Sequence, residues 1–186
     1  MENECRDGVF IDVGANIGYY SLVLAKKTGC RVIAVEPNPP ALERLKFNVK
    51  INENIKDQIT IVPLGIGSHG EFEIHSEGNL GAASLHKKIF NEPKNGVKIK
   101  TKPLLEILKE LGVKRVDALK IDIEGMEDQA LAPYLKNVSP EMLPKCIVIE
   151  DDHQDLWEVD LMKNLFDLGY KEISRTRSNA ILHRAK

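Results

Sequence analysis

The 186-residue chain carries 26 Lys and Arg against 28 Asp and Glu, a formal charge of −2, with 42% apolar and 29% charged residues. That balance excludes a disordered segment and leaves no basic excess to track a phosphate backbone, so nucleic acid is not the expected partner. The length fits a single domain over 1–186, and apolar stretches of four or five residues fall far below the roughly 20 needed to cross a bilayer.

The opening MENECRDG is acidic and polar, unlike a secretory signal. Cys5, Cys30 and Cys146 are too few and too far apart for a disulfide framework or a zinc knuckle. A cytoplasmic location is the expectation that follows.

Val9–Val13 is a short apolar run, and Ile17, Tyr20 and Leu24 follow at helical spacing until Gly29. Arg31–Val35 is a second run, and Leu42, Leu45 and Val49 stripe the helix after it. Ile59–Leu64 reads as a third strand. Between Gly65 and Thr101 the composition shifts to Gly, Asn, Lys and His, with short alternating pieces at Phe72–His75 and Val97–Thr101. This stretch (65–101) is expected to be an insertion of small strands and loops on the substrate side. Leu104, Ile107, Leu108 and Leu111 mark a third helix, and Val116–Ile123 a fourth core strand. Met126, Ala130 and Tyr134 mark the helix after it, which Pro133 should end or kink. Cys146–Glu150 is a fifth strand, and Leu161, Leu165 and Leu168 stripe a last long helix. Tyr170–Ser174 and Ala180–Arg184 flank a polar turn as an antiparallel hairpin. Such alternation predicts an α/β fold: a doubly wound, mostly parallel sheet with helices on both faces. Sheets of this kind bind ligands beyond the carboxyl ends of their strands, where strand order reverses.

The first strand runs into such a place, with FIDVGANIGY at residues 10–19. Gly14 and Gly18 permit tight turning and close approach of a ligand. Asn16 stands where nucleotide loops often carry a middle glycine; it tolerates positive φ and can cap the helix starting near Ile17. The loop is then expected to present N–H groups and a helix N-terminus to a ligand. Glu36 closes the second strand, where a carboxylate accepts ribose hydroxyls and repels a 2′-phosphate. Asp12, just before the glycines, is unfavourable beside a pyrophosphate and favourable beside the α-amino and sulfonium groups of S-adenosylmethionine. Tyr19 occupies the place where NAD loops want a third glycine. From these residues alone, Asp12 as a turn cap and Glu36 as a solvated strand end remain the plainer alternative.

The stretches VFIDVGANIGYYSLVLAKK, VIAVEPNPPALERLKFNVKIN, GNLGAASL and DALKIDIEGMEDQAL, in this order, resemble the FkbM-type methyltransferases. These are a branch of the Rossmann-like, S-adenosylmethionine-dependent class. The likeness runs from about Gly8 to Asp152. It implies a seven-stranded sheet with a C-terminal antiparallel strand, and S-adenosyl-L-methionine as cofactor. It also implies that Asp12, Gly14, Ala15, Asn16 and Gly18 line the methionine end, and that Glu36 holds the ribose with Pro37 and Asn38 beside it. Family members usually carry further structure before the first motif. Here Met1–Asp7 precede it, so a cap over the substrate is expected from the Gly65–Thr101 insertion or not at all.

Acceptor chemistry is expected at the ends of the fourth and fifth strands. Period two puts Lys120, Asp122 and Glu124 on one side, and charges at the end of a buried strand need partners or a use. Glu150, Asp151, Asp152 and His153 close the fifth strand in the same way. Glu124 or Asp122 is therefore the candidate general base, with Lys120 positioning a carboxylate or the nucleophile. The structural alternative is that Lys120 merely neutralises Asp122 or Glu150. Asp122, Asp151 and Asp152 are the kind of cluster a hard cation wants, but the resemblance points to no metal and none is expected. His153 reads as a surface residue and Trp157 as packing. NPPA at 38–41 follows the second strand and lacks the aromatic residue that amino-methylating enzymes of this fold carry after the fourth. Its prolines set a turn and a helix start, and an oxygen acceptor is favoured.

The leading expectation is an O-methyltransferase acting on a hydroxyl of a small molecule, glycan or natural-product intermediate, with no membrane partner. Lys87, Lys88, Lys94, Lys98, Lys100 and Lys102 support an RNA or protein acceptor as the alternative. A non-catalytic module that binds S-adenosylmethionine is the third reading. The stretch 78–88, with Asn79 and Ser84, is expected to be a substrate-side loop.

Overall fold

A computed structural model describes residues 1–76, 83–84 and 96–184. In chain order its elements are α1 (Glu2–Cys5), β1 (Val9–Val13), α2 (Tyr19–Thr28), β2 (Arg31–Val35), α3 (Pro39–Ile51), β3 (Ile59–Val62), β4 (Gly65–Ile66), β5 (Gly70–Ser76), β6 (Ala83–Ser84), β7 (Val97–Lys102), α4 (Leu104–Glu110), β8 (Ala118–Ile121), α5 (Glu127–Asn137), β9 (Cys146–Glu150), α6 (Leu161–Asp167), β10 (Tyr170–Arg175) and β11 (Asn179–Arg184).

Seven strands form one sheet in the order β10-β11-β9-β8-β1-β2-β3. From β3 to β9 the neighbours pair in parallel, and β11 is antiparallel to both β9 and β10. This is the expected doubly wound sheet with a C-terminal antiparallel strand. The chain leaves β1 on one side through β2 and β3 and returns on the other through β8 and β9. The switch in strand order therefore lies between β1 and β8.

Both faces of the sheet are apolar, so both are covered. Ile11, Val13, Leu119, Ile121, Ile147 and Ile149 pack with Leu104 and Leu108 of α4, Leu131 and Tyr134 of α5, and Leu161 and Leu165 of α6. The alternate residues Phe10, Val32, Ala34 and Ala118 cluster with Leu24 and Ala25 of α2 and with Leu42, Leu45 and Val49 of α3. Each fully buried aliphatic side chain of this size contributes about 1.5–3 kcal/mol. Helices this short depend on that burial more than on their own propensity.

Several boundaries differ from the sequence expectation. The pairing of β8 stops at Ile121, beside Val13 and Ile149, so Asp122 and Glu124 stand on a loop rather than on the strand. β3 stops at Val62 because Pro63 has no N–H to donate. Helix α5 continues through Pro133 to Asn137. Burial of Leu131, Tyr134 and Leu135 offsets the roughly 3 kcal/mol an interior proline costs. Helix α6 has only seven residues, since Gly169 at φ +88° turns the chain into β10. Ile17 and Tyr20 are 41% and 42% exposed, not part of a buried stripe; α2 buries Ser21, Leu24, Ala25 and Thr28 instead.

The 65–102 region builds a second, four-stranded sheet in the order β4-β7-β5-β6, and Lys98 and Lys100 are exposed on β7. Apart from β6, the expected loop at 78–88 lies outside the described residues, as do Asn79, Lys87, Lys88 and Lys94. Among the described residues, no helix is long and apolar enough to cross a membrane. Cys5, Cys30 and Cys146 are buried free thiols.

Candidate functional site

At the switch the β1 and β8 loops touch. Gly14 has φ +75°, and a Cβ built on it would lie 2.0 Å from the Asp122 carbonyl oxygen, so only glycine fits. Asn16 at φ +51° and Gly18 at φ +90° complete a tight turn. Four of its amides are committed inside the protein. Gly14 and Ala15 both donate to the Val35 carbonyl at 3.0 Å, and Gly18 donates to Ala15 at 2.8 Å. The Asn16 amide donates to Glu36 Oε2 at 2.7 Å. Asn16 does not cap α2 with its side chain; Gly18 holds the N-cap position. Those four N–H groups are not available to cradle a diphosphate.

Glu36 ties this turn to the next one. Its Oε1 accepts from the Asn38 amide at 2.8 Å. Burial pushes the Glu36 carboxyl up, and the Asn38 and Asn16 amides work against that. A carboxylate has about four lone-pair sites, so two amides leave acceptor capacity for a ligand.

Asp12 sits behind this surface. It is 1% exposed and is the register partner of Lys120 on the neighbouring strand. Ser21 Oγ donates to its Oδ2 at 2.6 Å, while its Oδ1 has no partner. Burial raises the Asp12 carboxyl, and the Lys120 ammonium opposes the rise. Lys120 Nζ lies 3.1 Å from Asp122 Oδ2 and 5.3 Å from the Tyr20 ring centroid. Burial disfavours its charge, yet Asp12 and Asp122 outweigh that and hold its pKa above the ordinary value.

A cavity of about 240 Å³ follows the seam between the two loops. Gly14, Ala15, Asn16, Glu36, Pro37 and Asn38 line it from the β1 and β2 ends, and Lys120, Asp122 and Glu124 from the β8 end. Ile66, Ile74 and Ile99 of the second sheet also line it. Asp12 and Gly18 do not reach the wall; Gly18 packs against Leu45.

Glu124 holds a left-handed conformation at φ +56°, followed by Gly125 at φ +91°. Non-glycine residues adopt this only where surroundings enforce it. The enforcing group is Glu127, fully buried at the start of α5. Its carboxylate accepts from the Ile123 amide at 2.8 Å, the Gly125 amide at 3.1 Å and Trp157 Nε1 at 3.0 Å. Sequence reading missed Glu127, because an acid in a first helical turn looks like an ordinary dipole partner. It also missed Ser21, and Trp157 does more than pack.

Burial, then the Asp122 charge, raises the Glu124 carboxyl, and His153 opposes this from 3.5 Å. Glu150 is 7% exposed and its Oε2 has no partner. Burial, followed by repulsion from Glu127, Asp122, Glu124 and Asp152, pushes it up to about 8. Asp151 is drawn away by Arg175 at 2.6 Å and Gln154 at 2.9 Å. Among the described residues, the ligand atoms that gather within 4.8 Å therefore belong to Glu124, Glu150 and His153, not to Asp122, Asp151 and Asp152.

Compared with known proteins, the profile described as the methyltransferase FkbM domain matches residues 12–172. The chain belongs to that family. Relatives of the FkbM domain include the AMB antimetabolite synthetase AmbE of Pseudomonas aeruginosa, 28% identical over 168 residues, covering 68% of this chain and 8% of that protein. Methyltransferase sdnD of Sordaria araneosa is 28% identical over 151 residues, covering 65% of this chain and 58% of that protein. Among solved structures, methyltransferase FkbM from Methylobacillus flagellatus KT has a TM-score of 0.61 and 22% identity, covering 94% of this chain and 42% of that one. TrmK of M. capricolum, solved with S-adenosyl-homocysteine, has a TM-score of 0.53 and 15% identity, covering 98% and 63%. The chain thus spans less than two thirds of the length of each of these proteins. The shared fold is the Rossmann-like methyltransferase sheet. Family membership points to S-adenosyl-L-methionine as the cofactor. Asn16 lines the cavity and its Oδ1 is buried without a partner, which fits the cationic methionine end.

Proposed function

We propose that this FkbM domain, 1–186 acting as one unit, moves a methyl group from S-adenosylmethionine to a hydroxyl of a small molecule, glycan or natural-product intermediate. The observation that carries the reading is that Glu36 and the carboxylates of Asp122 and Glu124 line one cavity at the switch in strand order.

When bound, S-adenosylmethionine supplies a methyl carbon activated by a sulfonium. Glu36 turns its remaining acceptor capacity to the ribose hydroxyls, flanked by Pro37 and Asn38. Asn16, and Asp12 from behind the wall, answer the ammonium, while Gly14, Ala15 and Gly18 set the turn. Lys120 holds Asp122 at the cavity and positions the acceptor. Glu124 takes the hydroxyl proton; burial makes it a stronger base than an ordinary carboxylate, and Asp122 is the second candidate. The three free thiols suit a reducing, cytoplasmic setting.

Calorimetry with S-adenosylmethionine and with NAD, joined to methyl-transfer assays on hydroxylated small molecules and glycans, tests this. Binding of S-adenosylmethionine and a methyl ether by NMR are expected. NAD binding in its place, or an N-methyl product, overturns it. Lys98 and Lys100, exposed on β7, support an RNA acceptor as the second reading. RNA binding that weakens with salt is its signature.

A further inference from the structure

The end of β9 holds more acid than methyl transfer uses. Glu150 closes that strand, does not line the cavity, and keeps a buried Oε2 without a partner. An unanswered carboxylate oxygen is costly in the interior. Neighbouring cations are engaged elsewhere, Lys120 with Asp122 and Arg175 with Asp151 and Glu172. Glu124 and His153 bring one ligand atom each toward Glu150, and all three atoms lie within 4.8 Å of one another.

We propose that Glu124, Glu150 and His153 bind a divalent first-row transition cation. Bonds of about 2.1 Å put ligand atoms about 3 Å apart in cis and about 4 Å apart in trans, which this spacing allows. Two carboxylate oxygens with one imidazole nitrogen suit Mn²⁺ better than Ca²⁺. Solvent reaches the site past His153, whose side chain is 33% exposed. The ion answers the orphaned oxygen and relieves the crowding of negative charge around Glu150. Since Glu124 also lines the cavity, the ion lies at the cavity edge; a Glu124 bound to it is a weaker base, and the proton then falls to Asp122, the wall carboxylate outside its coordination.

Titration of manganese chloride into the EDTA-stripped chain, followed by calorimetry and electron paramagnetic resonance, tests the site. One Mn²⁺ per chain is expected, with a nitrogen coupling in the spin-echo spectrum. Glu150→Gln should bind at least ten-fold more weakly with unchanged far-UV circular dichroism. His153→Ala, a change at a partly exposed side chain, should abolish the nitrogen coupling, and it keeps the test decisive if Glu150→Gln does not fold. Absence of Mn²⁺ binding in the wild type overturns the proposal. So does undiminished binding in folded Glu150→Gln, or a nitrogen coupling that survives His153→Ala. Metal binding is read without any methyl acceptor, so failure here is separate from failure of the methyl-transfer reading.

Discussion

Asp117, just before β8, and Glu124, just after it, are acids at opposite ends of one four-residue strand. Asp117 is 1% exposed, and both its oxygens are answered. Oδ2 accepts from the Val9 amide at 3.0 Å and Arg115 Nε at 2.9 Å, and Oδ1 from Lys145 Nζ at 3.2 Å. Burial works against its charge, but the Val9 amide, Lys145 and Arg115 win and hold the carboxyl below its ordinary value. At the other end, Asp12, Glu36, Glu124, Glu127 and Glu150 are all pushed up, with burial the leading cause in each. Burial alone does not separate a structural acid from a functional one. Glu127 is raised although three donors answer it, whereas Asp12 and Glu150 at that end each keep a buried oxygen without a partner.

The comparison can be broken from either end. The largest effect is expected from Glu124→Gln, which should lower turnover on the true acceptor about 10²-fold or more while calorimetry shows unchanged cofactor affinity. Equal turnover removes Glu124 as the base. Asp12→Ala and Glu36→Ala should each weaken S-adenosylmethionine binding by about 1–3 kcal/mol. Wild-type affinity in both would strip the upper end of its role in cofactor binding.

Asp117→Asn should leave activity per folded molecule intact and cost about 1–2 kcal/mol in urea unfolding at pH 7. Because the folded carboxyl titrates below the ordinary 3.8, its contribution is full above that pH and is lost as pH falls through the folded value. The gap between variant and wild type should therefore close in acid; a gap that persists there contradicts the ionic account. The smallest effect is expected for Trp157→Phe, which removes one donor from Glu127 and should cost about 1 kcal/mol in the same unfolding experiment.

Strand–helix alternation and the turn at 12–18 were legible because they rest on local rules. Apolar periodicity marks β1, β2 and β9, and positive φ selects Gly14, Asn16 and Gly18. What escaped depends on distant partners. The Ser21 hydroxyl, from the next helix, that holds one oxygen of Asp12 could not be read from the turn itself. Glu124 continues a period-two pattern until Glu127 bends the chain out of the strand. Asp151 joins Asp122 and Asp152 on paper, but Arg175 from the hairpin draws it aside. Pro133 is expected to end or kink its helix, and it does not end it: α5 runs on to Asn137 with Leu131, Tyr134 and Leu135 buried.

The close approach of Gly14 to the Asp122 carbonyl reaches beyond local geometry. A bare hydrogen at that crossing lets the β1 turn and the loop after β8 close on one another, and so fixes the distance between two walls of the cavity. A shift of about 1 Å in such a spacing can slow group transfer about a hundredfold.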